Sequence, residues 1–393
     1  MTKRHVAALF TLVVPLAIVA AGCGGGGGGG EAAATTGEVM TGPAEAAACT
    51  GKISVMGPFT GDAASLGQEQ LTFTKFAVEK FNADNGTSFE LQEVDTQLDP
   101  AQASTASQRI VADNDVLGVV GPAGSQEVEA VGPVFTRANL AFISPSATKT
   151  ELTTGGQYPT FFRDVPNDAA QGPTDAEFAT STLNAKDIWV IDDQESYSTG
   201  LAESFTKAAK AAGATVHRES VSQKQSDFSS LVSRVKGADV VFLPWQLANK
   251  AQVFGQQLAE QGSDATIVGS DGLFSDDFSI KGSYVSSFAP DVKSIDSSSD
   301  LVSEYEAKYG QFSSTFGPPA YAATNLLLTA VQQACQDAGG TPSRQQVADA
   351  MHNVSIDQSI LGGPLSFDEN GDPQGAKFYL FKVTGKGQYE LQS

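Results

Sequence analysis

Two polar turns carry the side chains of this chain that are best placed for chemistry. Val119-Val-Gly-Pro-Ala-Gly-Ser125 and Ala141-Phe-Ile-Ser-Pro-Ser-Ala-Thr148 each run from apolar residues into Gly, Pro and hydroxyl residues. The turns hold Ser125, Ser144, Ser146 and Thr148. In an open α/β sheet, ligands bind in the crevice beyond the carboxyl ends of the strands. Hydroxyls and free backbone N–H groups at such a place hold a small anion such as a carboxylate. Taken singly, each hydroxyl serves equally well as a helix cap or a turn former.

Catalytic chemistry is not indicated. The three histidines, His5, His217 and His352, lack a paired acid or a ligand spacing. There is no HExxH, GxSxG or GxxxxGK[ST], and GxGxxG occurs only within residues 22–30, on the seven-glycine run ahead of the fold; these are the patterns that mark zinc proteases, serine hydrolases and phosphate or dinucleotide sites. A triad around Ser125 finds no histidine, and no Cys/His cluster offers a metal site. Asp368-Glu-Asn-Gly-Asp372 resembles the start of a calcium loop. Tyr379 stands at the twelfth position, where the closing acid belongs, so a plain turn is expected. No cofactor and no enzymatic activity are expected.

The elements that must position the two turns alternate in type. Ile53–Met56, Phe89–Val94, Leu117–Val120 and Leu140–Ile143 read as strands. Leu66–Asn82, Ala101–Ala112 and Gln126–Ala138 between them read as helices. A break near Phe161–Pro173 separates a second series. Its strands are Asp187–Ile191, Ala214–Val221, Asp239–Leu243 and Thr266–Val268, with helices Thr199–Ala212, Phe228–Val235 and Ala248–Gln261. Such alternation means βαβ units on parallel sheets, here as two α/β lobes. Helical segments Ser298–Tyr309, Pro319–Ala338 and Ser343–His352 follow. Leu365-Ser-Phe367 precedes the turn Asp368–Asp372, and strands Phe378–Val383 and Tyr389–Leu391 end the chain, so it is expected to return to both lobes.

The 393 residues suffice for about two domains. A formal charge of −21 argues against nucleic acid or an anionic membrane face as partner. Lys3 and Arg4 precede an apolar run, Val6–Ala21, then Gly22 and Cys23. This is the shape of a secretory signal. The small residues before a cysteine resemble a bacterial lipoprotein signal, with residues 1–22 removed and Cys23 lipidated; Ala20 stands where the commonest pattern has Leu. The alternatives are an ordinary cleaved signal or a retained anchor. Residues 23–49, opening on seven consecutive glycines, read as a flexible tether with a reach of roughly 25–30 Å. Cys49 and Cys335 remain, open to a disulfide or to two buried thiols.

Several segments, in order and at matching spacing, resemble the leucine/isoleucine/valine-binding protein family, the extracytoplasmic receptors of branched-chain amino acid ABC transporters. They are Val55-Met-Gly-Pro-Phe-Thr-Gly61, residues 121–153, Asp168-Ala-Ala-Gln-Gly172, residues 188–201, Asp227–Val232, Val268-Gly-Ser-Asp-Gly-Leu273 and residues 363–371. The resemblance covers about residues 50–393. It implies the type I periplasmic binding fold: two Rossmann-like lobes with mostly parallel sheets, joined by a three-stranded hinge. Residues 50–166 plus 291–365 would form the N-terminal lobe, and 167–290 plus 366–393 the C-terminal lobe.

The resemblance also implies a ligand set. Ser125 and loop N–H groups would hold an α-carboxylate. In the loop of Ser146, Ala147 and Thr148, a carbonyl and the threonine hydroxyl would meet the ammonium, and the threonine N–H the carboxylate. Asp271 would face the ammonium from the second lobe, and Tyr197 would touch ligand from the same side; an Asp-Gly turn and an exposed tyrosine are the plain alternatives. Leu66 and Gln246 stand where a familiar member has pocket tyrosines, and Trp245 beside Gln246 would floor an apolar pocket or lie in the core. The family's own first-lobe cysteines are replaced by Leu98 and Gly124, which makes Cys49–Cys335 a plausible substitute. The implied protein is a monomeric, lipid-anchored receptor for an apolar amino acid, docking on permease subunits. A receptor for an amide, urea or aromatic acid, and a sensor, are the alternatives.

Overall fold

The computed structural model describes residues 49–392. The expected signal peptide, the expected lipidation site Cys23 and the expected tether up to residue 48 lie outside the described residues. The first series runs β1 (Thr50–Gly57), α1 (Ala64–Asn85), β2 (Ser88–Asp95), α2 (Pro100–Ala112), β3 (Val116–Val120), α3 (Ser125–Arg137), β4 (Ala141–Ser144) and β5 (Phe161–Arg163). Asp99 starts α2, accepting the N–H groups of Ala101 and Gln102 with Pro100 in the first turn, as the Asp-Pro pair predicts. The five strands form one parallel sheet in the order β2-β1-β3-β4-β5.

The second series is α4 (Asp168–Glu177), β6 (Asp187–Asp192), α5 (Ser196–Ala211), β7 (Thr215–Ser220), α6 (Ser229–Val235), β8 (Val240–Leu243), α7 (Ala248–Glu260), β9 (Thr266–Gly269) and β10 (Tyr284–Ser287). Its sheet repeats the first order as β7-β6-β8-β9-β10, all parallel. The chain then supplies α8 (Ser299–Tyr309), α9 (Gly317–Ala338) and α10 (Arg344–Met351), a small hairpin of β11 (Ser355–Ile356) and β12 (Leu365–Ser366), and finally β13 (Tyr379–Gly385) and β14 (Gln388–Leu391). The last two strands extend the second sheet antiparallel beyond β10.

The returning helices belong to the first sheet. α9 packs on α1 and β3, and α10 on α9 and β4, so Leu326, Leu327 and Val331 join Ile53, Phe73 and Phe76 in one core. α2 and α3 cover the opposite face through Ala103, Val128 and Phe135. The second sheet is enclosed likewise, with α4 and α5 on one face and α6 and α7 on the other. Three segments cross between the sheets, after β5, after β10 and after β12.

Helix α4 escapes the sequence reading, which sees only a break there. Pro173 sits inside it and interrupts the helical signal. Gly172 beside it is there for packing: a Cβ would lie 2.3 Å from Ser204 Oγ of α5. β5 and β10 were also unforeseen, being only three and four residues long. Cys49 and Cys335 are joined, with Cα atoms 5.7 Å apart, tying the start of β1 to the end of α9. No helix among the described residues is long and apolar enough to cross a membrane.

Candidate ligand site between the lobes

In a sheet ordered 2-1-3-4-5, the loops after the first and third strands diverge and leave a crevice at their carboxyl ends. Here two such crevices face each other. A small cavity is lined by Leu66, Ala123, Ser125 and Ser146 from the loops and helices after β1, β3 and β4. Tyr197, Gln246, Asp271 and Gly272 line it from the loops after β6, β8 and β9, and Phe316 from the start of α9.

The first-sheet side presents donors. Ser125 is the first residue of α3, fully buried. Its Oγ accepts the Lys149 N–H at 3.2 Å, which leaves its proton to donate. The N–H groups of Ser125 and Thr148 have no protein acceptor among the described residues. With the α3 N-terminus behind them, they suit a carboxylate. Ser144 performs turn chemistry: its Oγ donates to Pro122 O at 2.6 Å and accepts the Ala147 N–H at 2.9 Å. The Ser146 hydroxyl is held between Ala123 O and the Gln70 amide.

The second-sheet side presents acid. Asp271 Oδ1 accepts the Tyr197 hydroxyl at 2.6 Å and the Gln171 amide at 2.7 Å. Burial pushes Asp271 up to about 6, against the pull of those two hydrogen bonds. Asp168 lies close by; burial, with the Asp271 charge adding to it, raises it to about 7. Both Asp168 oxygens and the Thr148 hydroxyl are buried without a well-formed hydrogen bond, although the hydroxyl lies near enough to the Asp168 carboxyl to pull it down in part. An unpaired buried acceptor is costly, and an ammonium supplies what these groups lack. The cleft is also bridged directly. Gln126 donates to Gln246 Oε1 at 2.9 Å, and Lys149 Nζ, paired with Glu129, reaches Ser196 Oγ at 2.8 Å.

A family model described as periplasmic binding protein matches residues 50–388. The chain belongs to this family. It is 29% identical to the Leu/Ile/Val-binding protein homolog 3 of Brucella melitensis, over 87% of this chain and 93% of that one. It is 28% identical to the leucine-, isoleucine-, valine-, threonine-, and alanine-binding protein of Pseudomonas aeruginosa, over 86% and 90%. Among solved structures it is similar to the branched-chain amino acid transporter substrate binding protein LivJ from Streptococcus pneumoniae in complex with isoleucine. That match has a TM-score of 0.78, 26% identity, and covers 87% of this chain and 98% of that one. Members of the family are solute-binding receptors rather than enzymes.

In this periplasmic binding protein, six of the residues singled out from sequence line the one cavity: Leu66, Ser125, Ser146, Tyr197, Gln246 and Asp271. Thr148 is buried behind them. Ala147 is also buried, and its carbonyl points away, toward Arg163. Trp245 is a correction to the pocket-floor expectation. Its indole packs on Phe228 and Phe254 in the second-sheet core and donates to Ile191 O at 2.7 Å. A large ring with one donor is satisfied there, and Gln246 takes the cleft-facing place. Phe316, Asp168 and Gln171 were missed. Phe316 lies in sequence far from every other lining residue. Asp168 and Gln171 fall in a segment quoted for the chain crossing, and only folding brings them to Asp271.

Proposed function

We propose that this protein is the extracytoplasmic substrate-binding protein of an ABC importer, taking an apolar amino acid between two closing lobes. The observation that supports it is one cavity with donors on one wall and buried acids on the other. Ser125 and the N–H groups of Ser125 and Thr148 hold the α-carboxylate. Thr148 Oγ1, Asp271 and Asp168 hold the ammonium. Leu66 and Phe316 face the side chain; they belong to an apolar cluster with Leu98, Leu247 and Phe288. This favours a branched-chain or similar aliphatic ligand, in keeping with the names of the relatives.

The lobes on this reading are 50–166 plus 291–365 and 167–290 plus 366–393. Contacts made with both lobes shift the protein toward the closed form. A lipid on Cys23 anchors the receptor to the membrane, the tether of residues 23–49 lets it reorient, and the closed monomer docks on the permease subunits. Calorimetry of residues 49–393 against a panel of L-amino acids, including leucine, isoleucine and valine, tests the reading. Binding of an aliphatic member is expected. Failure of every α-amino acid to bind refutes it.

A further inference from the structure

The loop that carries Thr148 is fastened from behind by a buried arginine. Arg163 ends β5, and its side chain is 0% exposed. Its Nη1 donates to Ala147 O at 3.1 Å and to Lys149 O at 2.8 Å. Its Nη2 donates to Thr153 Oγ1, and its Nε to Asp372 Oδ1. The other Asp372 oxygen accepts the Thr153 hydroxyl at 3.0 Å and the Asn167 amide at 2.9 Å.

Two members of the cluster lie on segments that cross between the sheets. Asn167 caps α4, the first helix after the chain leaves the first sheet. Asp372 ends the turn in the crossing that precedes β13. That turn is laid directly on β5: the Arg163 N–H donates to Gly371 O at 3.1 Å. Gly371 has a φ of +88°, and a Cβ there would lie 2.7 Å from Phe161 O. The cluster therefore joins two of the three crossing segments to the loop behind the donor wall.

The direction of the donor follows from peptide planarity. In a trans peptide, the C=O and the next N–H point in opposite directions in one plane. Arg163 holds Ala147 O, so the N–H of Thr148 is turned away from Arg163, and it meets no protein acceptor among the described residues. A guanidinium has the fixed fork needed to grip two carbonyls, a hydroxyl and a carboxylate together; an ammonium has not.

We propose that Arg163, held by Asp372, is a positioning residue that aims the Thr148 N–H at the ligand carboxylate and ties that aim to the crossing segments. This rests on the amino acid reading above. The test is Arg163→Lys, assayed by calorimetry with L-leucine and with L-leucinamide, which keeps the ammonium and side chain but has a neutral amide. Charge-assisted hydrogen bonds are about twice as strong as neutral ones. L-Leucine is therefore expected to weaken about tenfold or more, and L-leucinamide about threefold. Equal losses for the two, or no loss, overturn the proposal, because a merely structural defect does not distinguish them. If Arg163→Lys does not fold, Asp372→Asn keeps an acceptor for Arg163, and the same unequal pattern is expected at smaller size. Wild-type protein that binds no amino acid of the panel refutes the amino acid reading itself, and this proposal with it; where another panel member binds in place of L-leucine, that amino acid and its amide are the pair assayed.

Discussion

Replacing Asp271 by asparagine removes a charge and little else. An asparagine Oδ1 still accepts from Tyr197 and Gln171, whose donors lie 2.6 and 2.7 Å away. Truncating one partner of a buried charge pair costs about 2–5 kcal/mol, so ligand affinity at pH 7.5 should fall between about 30-fold and a few thousand-fold. The wild-type pH dependence has a definite sign. In the free site burial holds Asp271 up at about 6. A bound ammonium favours the carboxylate and lowers that value, so binding releases a proton and affinity rises with pH. At pH 5 about a tenth of the free sites carry the Asp271 charge, and affinity should be about tenfold weaker than at pH 7.5 from this residue alone. Asp168, at about 7, steepens the loss. Calorimetry from pH 5 to 8, in two buffers of different ionisation enthalpy, gives both the affinity and the protons released. The Asn variant should bind weakly with a shallower pH profile. A variant within threefold of wild type at pH 7.5, or a wild-type affinity that is flat or rises as pH falls, refutes the ammonium role.

The same buried acids should make the unliganded protein more stable at mildly acidic pH. Burial raises Glu127 and Asp168 to about 7, and Asp193 and Asp271 to about 6, above their unfolded values of about 4. The stability they contribute is present at low pH and lost as pH rises through 6–7, so the melting temperature should fall from pH 5.5 to 8 by calorimetry, and Asp168→Asn should flatten that fall. Replacing Cys49 and Cys335 by serine should cost about 2–5 kcal/mol in denaturant unfolding. It should leave ligand affinity unchanged, because the bond lies at the opposite end of β1 from the cavity. Trp245→Phe leaves Ile191 O without its donor and should cost about 1–3 kcal/mol of stability, with the order of preference among amino acids unaltered.

Both α/β series were legible because their strands are short apolar runs between helices of clear period. Val116–Val120 and Ala141–Ser144 are buried throughout, and their sequences announce it. Helix α4 was not legible, because Pro173 interrupts the helix signal and Gly172 serves the packing on α5. The proposed ligand residues divide in a similar way. Ser125, Thr148 and Asp271 stand at strand ends, where turn chemistry draws attention, although their roles came from the family resemblance and not from their spacing. Arg163 and Asp372 are 209 positions apart, and nothing local to either marks a pair. Trp245 misled because an aromatic beside a cleft loop reads as a pocket wall, and its direction is decided only by the Ile191 carbonyl at the end of β6.

The residues at the repeated strand ends, rather than the strand order itself, make a zwitterion the ligand that fits the proposed site. Both sheets place the loops after their first, third and fourth strands at the crevice, so the two halves offer equivalent positions. The residues at those positions are unlike. One half ends in a helix N-terminus and free N–H groups, the other in Asp271 with Tyr197 and Gln171 upon it. A simple anion satisfies the first wall and meets repulsion from the second; a simple cation does the reverse. Only a ligand carrying both charges, a few ångströms apart, gains from closing the lobes. Below about pH 6 the raised carboxyls then act as a condition on closure, because the empty site holds protons that the ammonium must displace.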